Sequence, residues 1–167
     1  MRIGLLCGTF DPIHLGHIDM GNYAMEHCNI DKVIVVPANN PPNKKGKKIS
    51  SFVARLGMIM TATVELDGFE FSDLERKKNL SYTIDTLNAF DEEYPDDDIC
   101  LIVGSDTLEK MENWKSYDEI IDKYEVITLE RGVITTDISS TEVRKVIEGM
   151  NPYVFIYIAM NKVYKDE

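Results

Sequence analysis

The stretch RIGLLCGTFDPIHLGH, residues 2–17, joins a strand pattern directly to a helix pattern. RIGLLC is a short, continuous apolar run, which is typical of a buried strand. From Leu15 onward, residues such as Ile18, Gly21 and Met25 recur at helical spacing. The loop between them therefore points backbone N–H groups and the positive end of a helix dipole at one site, an arrangement that binds phosphate. The loop contains neither GxGxxG nor GxxxxGK(S/T), so it differs from those two nucleotide-binding loops.

Four further runs resemble the first strand in length and in their content of β-branched residues: KVIVVP (32–37), FEFSD (69–73), ICLIVG (99–104) and YEVITL (124–129). Helical patterns lie between most of them. They cover 15–28, 51–66, a helix capped by Ser81 that ends near Tyr94, and 139–149 after a Ser-Ser-Thr cap. Alternating strands and helices predict parallel βαβ units.

The predicted fold is a doubly wound α/β fold of the Rossmann-like type. It has three layers, αβα, around a mostly parallel sheet of five to six strands. The length of 167 residues suits a single domain over 1–167. Ligands of such sheets bind beyond the carboxyl ends of the strands. The chemically unusual segments, GTFDPIHLGH, PANNPPNKK, GSD and ISSTEVR, all follow predicted strands.

The net charge of −11 argues against nucleic acid as a partner, because nucleic-acid binding depends on clustered lysine and arginine. A small anionic ligand needs only local positive charge. No apolar run reaches membrane-spanning length, and no signal peptide is evident, so we expect a cytoplasmic protein that does not bind membranes. The cysteines at 7, 28 and 100 are widely spaced and are interpreted as reduced thiols.

His14 and His17 lie three residues apart at the predicted first turn of a helix, hence on one face. Both can therefore touch one polyphosphate, and Gly16 between them allows a ligand to approach the backbone closely. Two unrelated surface histidines are the plain alternative for this spacing alone.

The whole string GTFDPIHLGH resembles the (T/H)xGH signature of the adenylyl- and cytidylyltransferase superfamily, and ISSTEVR (138–144) resembles its ISSTxxR/K motif. The resemblance implies that His14, His17 and Arg144 are catalytic. It also implies ATP binding by these three residues together with Gly8, Thr9, Phe10, Gly16, Gly104, Asp106, Ile138, Ser139, Ser140 and Thr141. ATP would bring Mg²⁺ with its phosphates, and no metal site made by the protein alone is expected.

The middle of the chain resembles the nicotinate-nucleotide adenylyltransferase family. SYTIDTL (81–87), LIVGSDTL (101–108), ENWKSYDEI (112–120) and VVPANNPPNKK match that family's segments in order and spacing. The resemblance implies transfer of AMP from ATP to nicotinate mononucleotide, in NAD biosynthesis. It also implies substrate binding by Lys44, Tyr82, Thr83 and Trp114. The alternative functions are adenylyl transfer to nicotinamide mononucleotide or phosphopantetheine, and nucleotide binding with little catalysis. A homo-oligomer is possible.

Several of these residues have a structural alternative. Trp114 is the only tryptophan and could belong to the core, Asp106 could cap a helix, and the lysines at 44, 45, 47 and 48 could form a solvated loop. Arg55 could face an anionic ligand or lie on the surface of its helix.

The chain departs from the family pattern at a few places. Cys7 replaces the first glycine of the usual pair, and Asn43 stands where the family generally has histidine. The segment between Arg131 and Ile138 is shorter than in typical members by about twenty residues, and the C-terminal tail is also abbreviated. We expect the shortening to bear on ATP affinity, oligomer contacts or activity.

Overall fold

The computed structural model describes residues 1–44, 46–130 and 140–148. Five strands form one sheet, with the bounds β1 Arg2–Gly8, β2 Lys32–Pro37, β3 Phe69–Phe71, β4 Asp98–Gly104 and β5 Glu125–Leu129. Every pairing between them is parallel, and the order across the sheet is β3, β2, β1, β4, β5. The prediction of a doubly wound sheet is therefore confirmed, with five strands in the described part of the chain.

Seven helices accompany the sheet in the described residues: α1 Leu15–His27, α2 Phe52–Thr63, α3 Leu74–Lys77, α4 Thr83–Glu93, α5 Ser105–Met111, α6 Tyr117–Lys123 and α7 Ser140–Glu148. A short 3₁₀ turn spans Pro42–Lys44. The helices α3, α5 and α6 and the 3₁₀ turn did not follow from the sequence pattern, because segments of three to seven residues are too short to show a helical period.

Two apolar clusters cover the two faces of the sheet. On one face, Ile84, Leu87 and Phe90 of α4 pack with buried residues of β1 and β4. On the other face, Ile18 and Ala24 of α1 pack with Ile59 of α2 and with further strand residues. Side chains of β1 alternate between these clusters, since successive residues of a strand point to opposite faces. This arrangement gives the three predicted layers.

The expected capping of α4 by Ser81 is wrong. The helix begins at Thr83, and its N-cap residue is Tyr82, which has an extended backbone and makes no side-chain cap hydrogen bond. A capping side chain must sit at the N-cap position to reach the N–H groups of the first turn. Ser81 lies one residue too early for this role.

Candidate active site

A cleft of about 430 Å³ lies over the carboxyl ends of β1 and β4, where the order of the strands reverses direction. The residues predicted to bind ATP line much of its wall: Gly8, Thr9, Phe10, His14, Gly16, His17, Gly104, Asp106, Ser140 and Thr141. These come from three distant parts of the sequence. The sheet topology therefore brings together most of the predicted nucleotide site.

Phe10 lies in the loop between β1 and α1 and its ring contacts His17. Its backbone adopts a positive φ of 48°, which is uncommon for a residue with a side chain. Its ring is 3 % exposed and meets the ring of His17 edge-on, with 4.9 Å between centroids. A Cβ atom at Gly8 would lie only 3.0 Å from the Phe10 ring, so glycine makes room for this packing. Phe10 thus fills the space behind His17.

His14 and His17 stack on one another with 3.7 Å between ring centroids and 26° between ring planes. The backbone N–H of His14 donates to Nδ1 of His17 over 3.2 Å. Because Nδ1 accepts this bond, the proton of the neutral His17 ring resides on Nε2. The buried Nδ1 of His14 makes no hydrogen bond within the described residues. Nε2 of His17 is therefore the nitrogen of the pair that is left to donate to a ligand.

Burial sets the protonation of both rings. Burial, as the larger cause, and the neighbouring His14 together lower the pKa of His17 to about 3. Burial also lowers the pKa of His14, while the carboxylate of Glu142 opposes that effect. Both imidazoles are consequently neutral at pH 7, so each ring carries a single N–H that can donate a hydrogen bond.

Positive charge comes to the cleft from the loop before α2. Lys44, Lys47 and Lys48 line the cleft beside the predicted ATP residues, and the role of Lys44 in substrate binding stays a prediction. A polyphosphate in the cleft would lie between neutral donors on α1 and cations on this loop.

The start of α7 forms the facing wall. The hydroxyl of Ser140 donates to the carbonyl oxygen of Pro12 over 2.9 Å, which ties α7 to the loop between β1 and α1. Thr141 also lines the cleft. The predicted residues Ile138 and Ser139 lie outside the described part of the chain. The backbone of Arg144 lies within α7, but its side chain is likewise outside what the structure describes.

Gly104 and Asp106 lie where β4 leads into α5. Gly104 is the N-cap residue of α5, so the alternative role of Asp106 as the cap is wrong. Asp106 belongs to the first turn instead, and its Oδ1 atom lies 2.9 Å from the position that a Cβ of Gly104 would take. The missing side chain of Gly104 therefore leaves room for the carboxylate at the cleft.

The predicted acceptor residues Tyr82, Thr83 and Trp114 are not among the residues that line this cleft. Tyr82 is 41 % exposed, and the Nζ atom of Lys115 lies 4.7 Å from its ring centroid. Lys115 also forms an ion pair of 3.0 Å with Asp85 of α4. Trp114 is partly buried against the core. The start of α4 and the segment after α5 are thus neighbours, but their role in binding stays a prediction.

The interpretation of Arg55 as a surface residue is wrong. The residue is 1 % exposed, is not among those that line the cleft, and donates hydrogen bonds to backbone carbonyls. The sequence of α2, in which Arg55 is the only charged residue, did not reveal this burial, because the carbonyls of Thr9 and Ala38 lie in loops that are distant in sequence. Glu75 was missed for a similar reason. It lies in the charged run DLERKK, which resembles a solvated surface, yet it is 4 % exposed.

Cys7 also lines the cleft. Burial raises the pKa of its thiol, and the charge of Glu75 acts in the same direction. The thiol stays protonated at neutral pH, which does not suit a nucleophile. The three cysteines at 7, 28 and 100 are free, in agreement with the interpretation as reduced thiols.

Within the described residues, no group of three or more His, Cys, Asp or Glu side chains is arranged to hold a metal ion. Across the same part of the chain, none of the helices has the length and apolar character needed to cross a bilayer.

Comparison with known proteins places this site in a family. A family model described as cytidylyltransferase-like matches residues 5–146, which is most of the chain. The chain belongs to this cytidylyltransferase-like family. Within it, the curated relatives are probable nicotinate-nucleotide adenylyltransferases, and the chain belongs to that group, as its motifs predicted.

Two relatives from Clostridium botulinum illustrate the match. The protein of strain Alaska E43 is 39 % identical over 132 residues, which cover 78 % of this chain and 65 % of that protein. The chain thus spans slightly under two thirds of that relative's length. The protein of strain Eklund 17B is 32 % identical over 200 residues, covering 99 % of both chains. That alignment is longer than the 167 residues of this chain, so it includes segments that this chain lacks.

Solved structures share the fold. A putative nicotinate-nucleotide adenylyltransferase from Vibrio parahaemolyticus superposes with a TM-score of 0.72 at 23 % identity, over 90 % of each chain. A nicotinic acid mononucleotide adenylyltransferase from Plasmodium falciparum, complexed with NaAD, gives a TM-score of 0.68 at 18 % identity, over 98 % of this chain and 97 % of that one.

Proposed function

We propose that this protein transfers the AMP of ATP to nicotinate mononucleotide, releases pyrophosphate, and so makes nicotinate adenine dinucleotide for NAD biosynthesis. The observation that carries the proposal is the stacked pair of His14 and His17 at the start of α1, in the cleft over β1 and β4. The names of the curated relatives support the choice of acceptor. We propose a single nucleotidyltransferase domain over 1–167 that acts in the cytoplasm on these small molecules, without nucleic acid.

The reaction makes modest demands on the protein. A phosphate oxygen of the acceptor attacks the α-phosphorus of ATP, and the bond from that phosphorus to the β-phosphate oxygen breaks as pyrophosphate leaves. The acceptor phosphate is already anionic near neutral pH, so no general base is required. Catalysis then depends on positioning and on stabilising the charge that develops on the phosphoryl oxygens.

The side chains of the cleft divide this work. His17 donates from Nε2, since its Nδ1 accepts the N–H of His14. Lys44 and the other loop lysines compensate the charge of the triphosphate. The start of α7 brings the Thr141 hydroxyl and helix N–H groups to the distal phosphates, and Arg144 adds a delocalised cation in the same motif. The Ser140 hydroxyl holds this helix start in place by donating to Pro12. The substrate is the magnesium complex of ATP, in which Mg²⁺ shields the phosphates.

A pyrophosphate-release assay tests the proposal. Mg–ATP is offered separately with nicotinate mononucleotide, nicotinamide mononucleotide and phosphopantetheine. We expect turnover with the nicotinate compound at a kcat/KM at least about tenfold above either alternative. Preference for another acceptor would correct the substrate but keep the reaction. ATP binding without turnover on any acceptor would contradict the enzyme assignment and support a nucleotide-binding protein.

A further inference from the structure

Arg55 is a buried cation. Within the described residues, the hydrogen-bond acceptors of its side chain are all backbone carbonyl oxygens. Its guanidinium donates to the carbonyl oxygens of Thr9 at 2.7 Å, Ala38 at 2.8 Å and Ser50 at 3.2 Å. Thr9 follows β1, Ala38 follows β2, and Ser50 precedes α2. The planar fork of arginine fixes all three directions at once. Arg55 therefore sets the relative positions of two strand ends at the edge of the cleft.

Glu75 continues these contacts towards α4. One carboxylate oxygen accepts the backbone N–H of Asn39 at 2.8 Å, and the other accepts the hydroxyl of Thr86 at 2.8 Å. The Thr86 hydroxyl also lies 3.3 Å from the carbonyl oxygen of Tyr82, the N-cap residue of α4. Glu75 thus connects the loop after β2 to the residue where α4 begins.

The two charged groups compensate one another. Burial lowers the pKa of Arg55, and the carboxylates of Asp11 and Glu75 oppose this effect. Burial raises the pKa of Glu75, against the hydrogen bonds from Asn39 and Thr86 and the charge of Arg55. Well-packed apolar residues in place of two buried charges often give equal or greater stability, so stability alone does not explain Arg55 and Glu75. Their value lies in the directions that their hydrogen bonds fix.

We propose that Arg55 and Glu75 are positioning residues, which hold the loop at Thr9 and the start of α4 in one arrangement so that donor and acceptor nucleotides meet correctly. The proposal rests on the proposed function, in which ATP contacts Thr9 and the acceptor contacts the residues at the start of α4. In this proposal, the hydrogen bond from Thr86 to Glu75 links the position of Glu75 to the start of α4, where the acceptor binds.

The first test compares Arg55→Lys with Arg76→Lys. Arg76 is a matched control, because it is exposed and lies over the same Phe52 ring, at 5.2 Å, that Arg55 approaches at 5.5 Å. Lysine keeps the charge but loses the fork. We expect Arg55→Lys to lower kcat by about tenfold to a hundredfold per folded molecule, the scale of a small misplacement. We expect Arg76→Lys to stay within about twofold of the wild type.

The second test uses Thr86, where the substitutions are nearly isosteric. Thr86→Val removes the hydroxyl that contacts Glu75, and Thr86→Ser retains it. We expect Thr86→Val to raise the KM for nicotinate mononucleotide by about tenfold, with the KM for ATP unchanged. Thr86→Ser, which keeps the hydroxyl, should have the wild-type KM for nicotinate mononucleotide. Binding of each nucleotide, measured by calorimetry, gives the same comparison without turnover.

The outcomes are distinct. A folded Arg55→Lys enzyme with wild-type kcat and KM values, changed only in its unfolding temperature, would show that the pair is structural and overturn the proposal. Should Arg55→Lys fail to fold, Thr86→Val decides: an equal change in both KM values, or none, overturns the proposal too. Wild-type protein that turns over no acceptor contradicts the proposed function instead, and the binding measurements then judge the positioning role.

Discussion

His17 caps the helix that carries it by accepting the backbone N–H of His14 at Nδ1, over 3.2 Å. His14 is the N-cap residue of α1 and His17 is at position N3. This is the N3-to-N-cap bond of a capping box, with histidine in place of the usual Glu or Gln. One nitrogen of the ring thus fixes the start of the helix, and Nε2 is the nitrogen to which the proposed function assigns the ligand.

We predict that His17→Ala lowers turnover by about a hundredfold, the typical loss for one donor to a transition state. The change is measured as kcat under saturating Mg–ATP and nicotinate mononucleotide. His27→Ala is the matched control, because His27 lies in the last turn of the same helix and its side chain is 54 % exposed. It should retain wild-type turnover. A near-normal rate for His17→Ala would contradict the role of the ring.

We predict that His17 makes the protein less stable as the pH falls. Its pKa of about 3 in the folded protein lies below the ordinary value of 6.5. Between these values the unfolded chain binds more protons, so the free energy of unfolding decreases as the pH falls through this window. From pH 7 to pH 5 the contribution is roughly 1–2 kcal/mol.

His17→Gln isolates this contribution, since glutamine at N3 can keep the capping bond without titrating. Urea unfolding of both proteins at pH 7 and pH 5 gives the difference. The variant should lose less stability than the wild type over this range. Equal losses would show that the ring is not held neutral by its surroundings.

We predict opposite effects of the same substitution at two helical glycines. A Cβ at Gly21 of α1 would clash with the Phe69 ring, whereas a Cβ at Gly57 of α2 meets nothing within 4 Å. Gly57→Ala should therefore stabilise the protein by about 0.5–1 kcal/mol through helix propensity. Gly21→Ala should destabilise it by about 1–3 kcal/mol, because the clash exceeds that gain. Thermal unfolding measures both, and a gain in stability at Gly21 would contradict the close packing of α1 on β3.

The sequence predicted β1, β2 and β4 well because each is mostly a run of buried apolar residues with a clear end. β2 has the predicted bounds, and β1 and β4 each differ by one residue. The longer helices agreed within a few residues for the same reason, that their period was visible. Helices α3 and α6 have only one or two turns each. Helices this short are not stable alone, so their formation depends on tertiary contacts that the local sequence does not show.

The grouping of the predicted ATP residues in one cleft was predictable, because they follow strand ends and match a specific motif. His14, His17, Asp106 and Ser140 do line one cleft. The surroundings of Tyr82 and Trp114 were not predictable: neither residue lines that cleft, and their role in acceptor binding stays a prediction. Lys115 brings the segment that contains Trp114 next to Tyr82 through its contacts with Tyr82 and Asp85. These contacts join residues about thirty positions apart, so no local sequence pattern predicts them.

The sequence by itself determined the order of strands and helices and the chemistry of the loop after β1, since both are encoded in local runs of residues. Tertiary structure alone decided how those groups behave. Burial keeps His14 and His17 neutral, and hydrogen bonds to the carbonyls of Thr9, Ala38 and Ser50 make Arg55 a buried internal contact and not a surface residue. Protonation and positioning depend on solvent exclusion and long-range contacts, which exist only once the chain has folded.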